Sequence, residues 1–321
     1  MITIFTTTKP FIGQMKINQI NAITSWKMLH PDIEVLIFGK GEGREGIEDV
    51  VKEFSLLHIP DVETSERDMP LISSMFDIAK RRGHYNIQMF INCDIILVDD
   101  FLPALRRITM DRFLMVGQRY NLTLDRPVNF KSPCWIDDLR KECKEKGEIM
   151  DVCGIDYFTY PKDIWKNLPP MAVGRPVYDN WLLYNCRRLG IPLIDVSNHV
   201  LAVHQNHDYS YYPGGKQGIS TGAEVEQNRR LAGGKDNYFT IRDADWVLTD
   251  EGLKRNYCRG DILRYMDVYA ILYPDKFGWF KKITYLMRMP REIASYLYGI
   301  TFKPLVKRIK DGREKAGRVI Q

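Results

Sequence analysis

The sequence predicts an α/β fold, a sheet with helices on both faces, and three observations carry that expectation. Apolar, β-branched runs alternate with amphipathic stretches from the first residues onward, the pattern of parallel strands joined by helical crossovers. The composition of the 321 residues, 45% hydrophobic and 27% charged, supplies a full core. Within residues 86–100, Ile87 through Val98 reads as a central buried strand in which an amide and a carboxylate, Asn92 and Asp94, interrupt the apolar run.

Taken in order, residues 2–8 form a first strand running into a Lys9-Pro10 turn. Ile17, Ile20, Ile23 and Met28 recur at helical spacing, so 17–29 is a helix ended by Pro31. A second strand over 34–38 is stopped by Gly39, Gly41 and Gly43. A short helix over 46–53 and a third strand over 54–59 follow. Pro70 suits a first helical turn, and Leu71, Met75, Ile78 and Ala79 share one face of a helix over 70–80 that leads into the central strand. The run 100–108 is an amphipathic helix and 112–117 a strand. Residues 137–146 form a charged, exposed helix, the place expected for a surface insertion. Later come a strand over 154–160 holding Asp156 and a helix starting at Asp179 or Asn180, with Trp181, Tyr184 and Leu189 able to pack. Strands over 192–196 and from 200 complete the series, the last crowded at its end by His204, His207 and Asp208.

Several function classes are disfavoured. Six cysteines without a C-x-x-C pair argue reduced thiols and a cytoplasmic setting, with no zinc spacing. The first residues lack a basic region followed by an apolar core, so an export leader is not expected. No run reaches the ~18 apolar residues of a spanning helix. Net charge is +5, but residues 277–321 alone hold eleven Lys or Arg against three Asp or Glu, a net of +8 that leaves the body near −3. A nucleic-acid-binding body would carry the positive charge itself, so no nucleic-acid partner is expected. The division read from these shifts is 1–250 for a catalytic domain and 251–321 for a basic, aromatic-rich helical extension.

In open α/β sheets ligands sit at the carboxyl ends of strands, where Thr6, Thr7 and Thr8 fall. On an extended backbone Asn92 and Asp94, two apart, point to one face and Cys93 to the core. The plainer alternative is that the strand ends near Ile91 and the pair caps a turn before Ile95. Each other polar residue has a plain reading too. The threonines suit a strand, Asp179 suits a helix N-cap, Asp156 suits a turn, and a histidine is usually just hydrogen-bonded. What favours function is that all of them fall at element ends of one sheet domain.

The ordered set Asn92-Cys93-Asp94, Gly154-Ile-Asp-Tyr-Phe158, Tyr178-Asp-Asn-Trp-Leu182 and His204-Gln-Asn-His-Asp-Tyr209 resembles GT-A type glycosyltransferases. It is similar to an uncharacterised bacterial and archaeal group with the same motifs, over about residues 1–250. The resemblance implies a Rossmann-like mixed sheet flanked by helices, with a C-terminal helical extension. It further implies an inverting, metal-dependent transfer from a nucleotide-diphosphate-sugar to a hydroxyl of a glycan or lipid-linked acceptor, in surface glycan or glycolipid synthesis. Asp94 would hold Mn²⁺ or Mg²⁺ with His204 or His207, and Asp179 would act as general base. Asp156 would orient a sugar, and Thr6, Thr7, Lys9, Asn92 and Lys216 would contact the donor. Here Asn92 replaces the first Asp of D-x-D; an Asn can accept from a ribose hydroxyl or coordinate through its carbonyl oxygen. The alternative from another class is a nucleotide-sugar or glycan binding protein without catalysis.

Residues 277–310 interleave Trp279, Phe280, Tyr285 and Tyr296 with Lys281, Lys282, Arg288 and Lys303. That mixture suits a helix lying in a membrane interface, which would place the enzyme peripherally on the inner face of the membrane. The competing expectation is a helical extension packed on the catalytic domain or on a second subunit of a homo-oligomer.

Overall fold

The computed structural model describes residues 1–39, 46–208 and 214–297, apart from the side chains of Lys216 and of 290–297. It comprises two compact units, Met1–Gly260 and Asp261–Gln321.

The first unit opens with β1 (Ile2–Thr7), α1 (Gly13–Leu29), β2 (Glu34–Phe38), α2 (Ile47–Glu53) and β3 (Leu57–Ile59). Helix α3 (Ile72–Arg82) leads into β4 (Ile87–Ile91), followed by β5 (Ile95–Leu97), α4 (Phe101–Arg106), β6 (Leu114–Val116) and β7 (Tyr120–Leu122). Then come α5 (Trp135–Lys146), β8 (Glu148–Ile149), β9 (Tyr157–Pro161), α6 (Tyr178–Arg188), β10 (Leu193–Asp195) and β11 (Ala202–Gln205). Helices α7 (Gly215–Ser220) and α8 (Ala223–Ala232) precede the hairpin β12 (Trp246–Thr249) and β13 (Gly252–Arg255). The expected boundary at residue 250 thus falls inside a hairpin whose second strand closes the sheet edge.

Nine strands form one mixed sheet in the order β13-β12-β10-β6-β9-β4-β1-β2-β3. Strand-helix alternation argues parallel strands, and β1, β2, β3 and β4 obey it. Strand β9 runs antiparallel to both β4 and β6, and β13 to β12. The sheet's two faces are both buried, as the continuous apolar strands require. On one, Ile4, Val35, Met89 and Tyr157 pack with Ala22, Ile23 and Trp26 of α1. On the other, Phe5, Phe76 and Phe90 meet at ring distances of 5.0–5.6 Å. A fully buried side chain of this size contributes about 1.5–3 kcal/mol, so this centre holds β1, β4 and α3 in place.

The run 86–98 is not one strand. Strand β4 ends at Ile91, Ile95 N donates to the Asn92 carbonyl at 3.2 Å, and the chain turns. Strand β5 then joins a second sheet, in the order β5-β11-β7-β8. Helix α5, expected as an exposed insertion, starts at Trp135 and buries Trp135, Leu139 and Cys143 against Ile96, Val98, Leu122 and Val203. Burial pushes the Cys143 thiol up to about 11, as befits a packing residue. All six cysteines are free thiols.

The second unit contains α9 (Ile262–Leu272), α10 (Pro274–Phe277) and α11 (Phe280–Leu297). Buried Asp267 of α9 accepts from Thr284 Oγ1 and Arg288 Nη1 of α11, each at 2.5 Å. No described helix is long and apolar enough to cross a membrane.

Candidate active site

The turn 92–94 lies where the chain leaves the large sheet for the small one, and its surroundings are built from polar residues that α1 buries. Helix α1 presents Asn18, Gln19, Asn21 and Ser25 to the interior beside its apolar Ala22, Ile23 and Trp26. Asn21 Nδ2 donates to Gln205 Oε1 at 2.8 Å, and Gln205 Nε2 donates to the Asn18 carbonyl at 2.8 Å. Trp26 Nε1 donates to the Ile95 carbonyl at 2.9 Å, and Leu97 N to Ser25 Oγ at 3.2 Å. Gln205 N closes the network on the Asp94 carbonyl at 3.1 Å. Each such bond contributes about 1 kcal/mol, and losing one partner costs more because the other stays buried. Together they pin β5 and β11 on either side of Asp94.

Strand β11 brings His204 to this point, and the chain after it brings His207. Asp94 Oδ2 stands 3.7 Å from His204 Nε2 and 3.2 Å from His207 Nε2. One ligand atom of each of the three residues lies within 4.8 Å of the others. Burial would raise the Asp94 carboxyl, but His204, His207 and Lys9 together hold it below the usual carboxylate range. Burial lowers the His204 imidazole pKa while the Asp94 carboxylate beside it pulls the other way.

The donor set fits a divalent cation on two observations. Asp94 Oδ1 and His204 Nδ1 are buried with no hydrogen-bond partner among the described residues. His207 Nδ1 is 2.7 Å from the Asp208 carbonyl and donates to it, which directs Nε2 to Asp94 Oδ2 at 3.2 Å. Lys9 Nζ stands 3.3 Å from the same Nε2. Oxygen ligands suit Mn²⁺ or Mg²⁺, and imidazole nitrogens tilt the set towards Mn²⁺.

A second group of polar residues lies beside the first. Asn92 Nδ2 donates to Asp156 Oδ1 at 2.7 Å and Asn92 N to the Asp156 carbonyl at 2.9 Å. Arg119 forms an ion pair with Asp156 Oδ2, and its Nε donates to Asn121 Oδ1 at 3.1 Å. Both oxygens of Asp156 are therefore engaged by protein groups, and the side chains of Asn92 and Asp94 go to different partners instead of converging. An Asp at position 92 would set two carboxylates against each other at hydrogen-bond distance. That is a physical reason for Asn in place of the first Asp of D-x-D. Arg119, on the residue before β7, escaped the sequence reading; a cation two residues past Gly117, at the carboxyl end of a predicted strand, was the available signal.

Asp179 stands in the first turn of α6. The helix cap is Val177, so the N-cap role expected for Asp179 is not the one it takes. Val177 is a buried β-branched residue at φ +92°, a conformation that costs about 1–3 kcal/mol and sets how the chain enters the helix. Asp179 Oδ1 accepts from Asn180 N at 2.9 Å. Burial and the charge of Asp156 outweigh that bond, and the carboxyl is pushed up to about 7.

The remaining expected contacts are distributed unevenly. Thr7 is half-buried at the end of β1 and Lys9 is at the cluster, whereas Thr6 is fully buried, its hydroxyl directed to the Thr7 carbonyl at 3.3 Å. Cys93 packs in the core beside Thr6, and burial raises its thiol pKa. Lys216 is in α7, but its side chain lies outside the described residues, as does Tyr209.

No protein-family model matches the chain, and no curated protein matches it. Among solved structures, the chain is similar to mannosyltransferase PcManGT from Pyrobaculum calidifontis in complex with GDP-Man and Mn²⁺, at 13% identity and TM-score 0.43 over 98% of this chain and 80% of that one. Glucosyl-3-phosphoglycerate synthase of M. tuberculosis aligns at 17% identity and TM-score 0.44 over 73% and 81%. S. aureus TarS, residues 1–349, aligns at 11% identity and TM-score 0.30 over 41% of this chain and 40% of that one. All these scores lie below 0.5, so the likenesses assign neither an activity nor a residue role.

Proposed function

We propose that this protein is a glycosyltransferase that moves a sugar from a nucleotide-diphosphate-sugar to a hydroxyl acceptor, assisted by Mn²⁺ or Mg²⁺ at Asp94, His204 and His207. The observation that carries this reading is the pairing, in one polar cluster, of a cation-binding set with a separate carboxylate whose pKa of about 7 matches general-base work. The ordered motifs named above support it independently.

When bound, the cation supplies charge neutralisation for the departing diphosphate. Lys9 adds positive charge on the same side, and Thr7 and Lys216 are assigned to the nucleotide. Asp179 takes the proton of the acceptor hydroxyl as its oxygen bonds to the anomeric carbon. The bond from that carbon to the diphosphate oxygen breaks, its electron pair leaving with the nucleoside diphosphate, and configuration inverts. Asp156 holds the Asn92 turn and Arg119 while this happens. The setting proposed is the cytoplasm, with a glycan or lipid-linked acceptor in surface glycan or glycolipid synthesis.

The alternative of an inactive binding protein draws on Asn92, and the Asn92–Asp156 bond gives that residue a reason unrelated to lost activity. A panel of nucleotide sugars incubated with the protein and Mn²⁺ separates the two. Release of nucleoside diphosphate that rises with pH to a plateau above about 7 is expected of the transferase. A protein that binds members of the panel and releases nothing from them, with or without added acceptor sugars, would be the binding module.

A further inference from the structure

Helix α11 has two faces that do different things. Thr284 and Arg288 turn inward to Asp267 of α9. At 100° per residue, Trp279, Lys282, Leu286 and Met289 share the opposite side. Trp279 is 56% exposed, Leu286 63% and Met289 41%. A helix on the surface of a soluble protein normally does the reverse, burying its apolar stripe and showing charge. Tyr285 and Met287, also exposed, flank the apolar surface, and exposed Lys282 stands within it.

We propose that this outward face of α11 docks on an anionic lipid surface, the helix lying in the plane of the interface. Three features select that occupant. Trp and Tyr rings with one apolar and one polar end are suited to the headgroup boundary. Lysines there reach headgroup phosphates with their ammonium groups while their stems lie along the apolar surface. No acidic residue occurs between Asp275 and Glu292, and residues 277–321 have a net charge of +8, so the whole stretch is drawn to negative charge. A second copy of the chain fits less well, because an isologous contact through this face would bury Lys282 of both copies with no acidic residue of the segment between Asp275 and Glu292 to pair with it. No described helix is both long and apolar enough to cross a membrane, so the contact proposed for α11 is peripheral. The inference does not depend on the transfer reading.

The test is flotation of the full chain with vesicles of phosphatidylglycerol and phosphatidylcholine, at about 30% anionic lipid, against pure phosphatidylcholine. The protein should float with the anionic vesicles at low salt, release as salt is raised several-fold, and show a blue shift of Trp emission on binding. Leu286→Glu and Lys282→Glu should each weaken flotation by tenfold or more. Both positions are exposed, so unchanged melting temperatures are expected and serve as the folding control. Absence of flotation by the full chain, flotation indifferent to these substitutions, or a concentration-dependent dimer abolished by Leu286→Glu without lipid binding would each overturn the proposal.

Discussion

Asp94 and Asp179 belong to one polar cluster and titrate in opposite directions. Both are half-buried, and partial removal from water by itself raises a carboxyl pKa. The turn after β4 surrounds Asp94 with two imidazoles and the Lys9 ammonium, and the carboxylate stays charged. The first turn of α6 gives Asp179 backbone N–H donors, Asn180 N foremost, and the neighbouring negative charge of Asp156, and it holds its proton up to about 7. Arg119 is close enough to lower Asp179, but its ion pair with Asp156 spends much of that influence elsewhere. The difference teaches that burial sets the scale of a shift and the partners set its sign. It also separates two tasks, holding a cation and accepting a proton, between two residues of the same type.

The comparison can be broken most severely at Asp179. Asp179→Asn should lower kcat by about 10²–10⁴-fold while nucleotide binding is retained, measured by turnover beside calorimetry. Near-normal turnover would show that another group takes the proton. A smaller but still large effect is expected where the two halves join. Asn92→Asp places a carboxylate against Asp156 and should destabilise the fold by about 2–4 kcal/mol above neutral pH. The loss should shrink in acid, where one carboxyl of such a pair keeps a proton.

Stability gives a milder reading of the same contrast. The Asp179 carboxyl titrates at about 7 folded and near the ordinary value of about 4 unfolded, so stability falls as pH rises from about 4 to about 7 and is level beyond. Asp179→Asn removes that dependence and should gain on the order of 1 kcal/mol at pH 8, with little gain at pH 4, in denaturant titrations. Equal effects at both pH values would contradict the raised pKa. The smallest change expected is Thr6→Val. With its hydroxyl buried under Thr7, this substitution should shift stability by less than about 1 kcal/mol and leave donor KM unchanged, whereas a raised KM would restore Thr6 to the donor site.

Much of the fold was legible because its signal is local. The strands 34–38 and 192–196 and the helices before and after the central strand announce themselves by apolar spacing and by Gly or Pro at their ends. The same spacing left two readings of 87–98, one continuous strand or a strand that ends near Ile91 and turns before Ile95, and the second is the one the chain adopts. Apolarity does not distinguish a strand that continues from one that turns at Asn92 and resumes in another sheet. Helix α5 was misjudged for a related reason, since Trp135, Leu139 and Cys143 make a thin apolar stripe in a charged segment, and the sheet it covers is assembled from distant strands. In the site, Asp94, Asp179 and the two histidines were visible as polar residues at element ends. The polar face of α1 that holds Gln205 and the Arg119–Asp156–Asn92 chain were not, because partners 37 to 187 residues apart leave no periodic trace.

The most direct test of the central claim is calorimetric titration of a panel of nucleoside diphosphates, with and without Mn²⁺, into the native protein, Asp94→Ala and Asp179→Asn. The account predicts binding by the native protein and by Asp179→Asn that is strengthened by the metal, with the metal dependence lost in Asp94→Ala. Metal-independent binding by the native protein, or unchanged metal-dependent binding by Asp94→Ala, would contradict it.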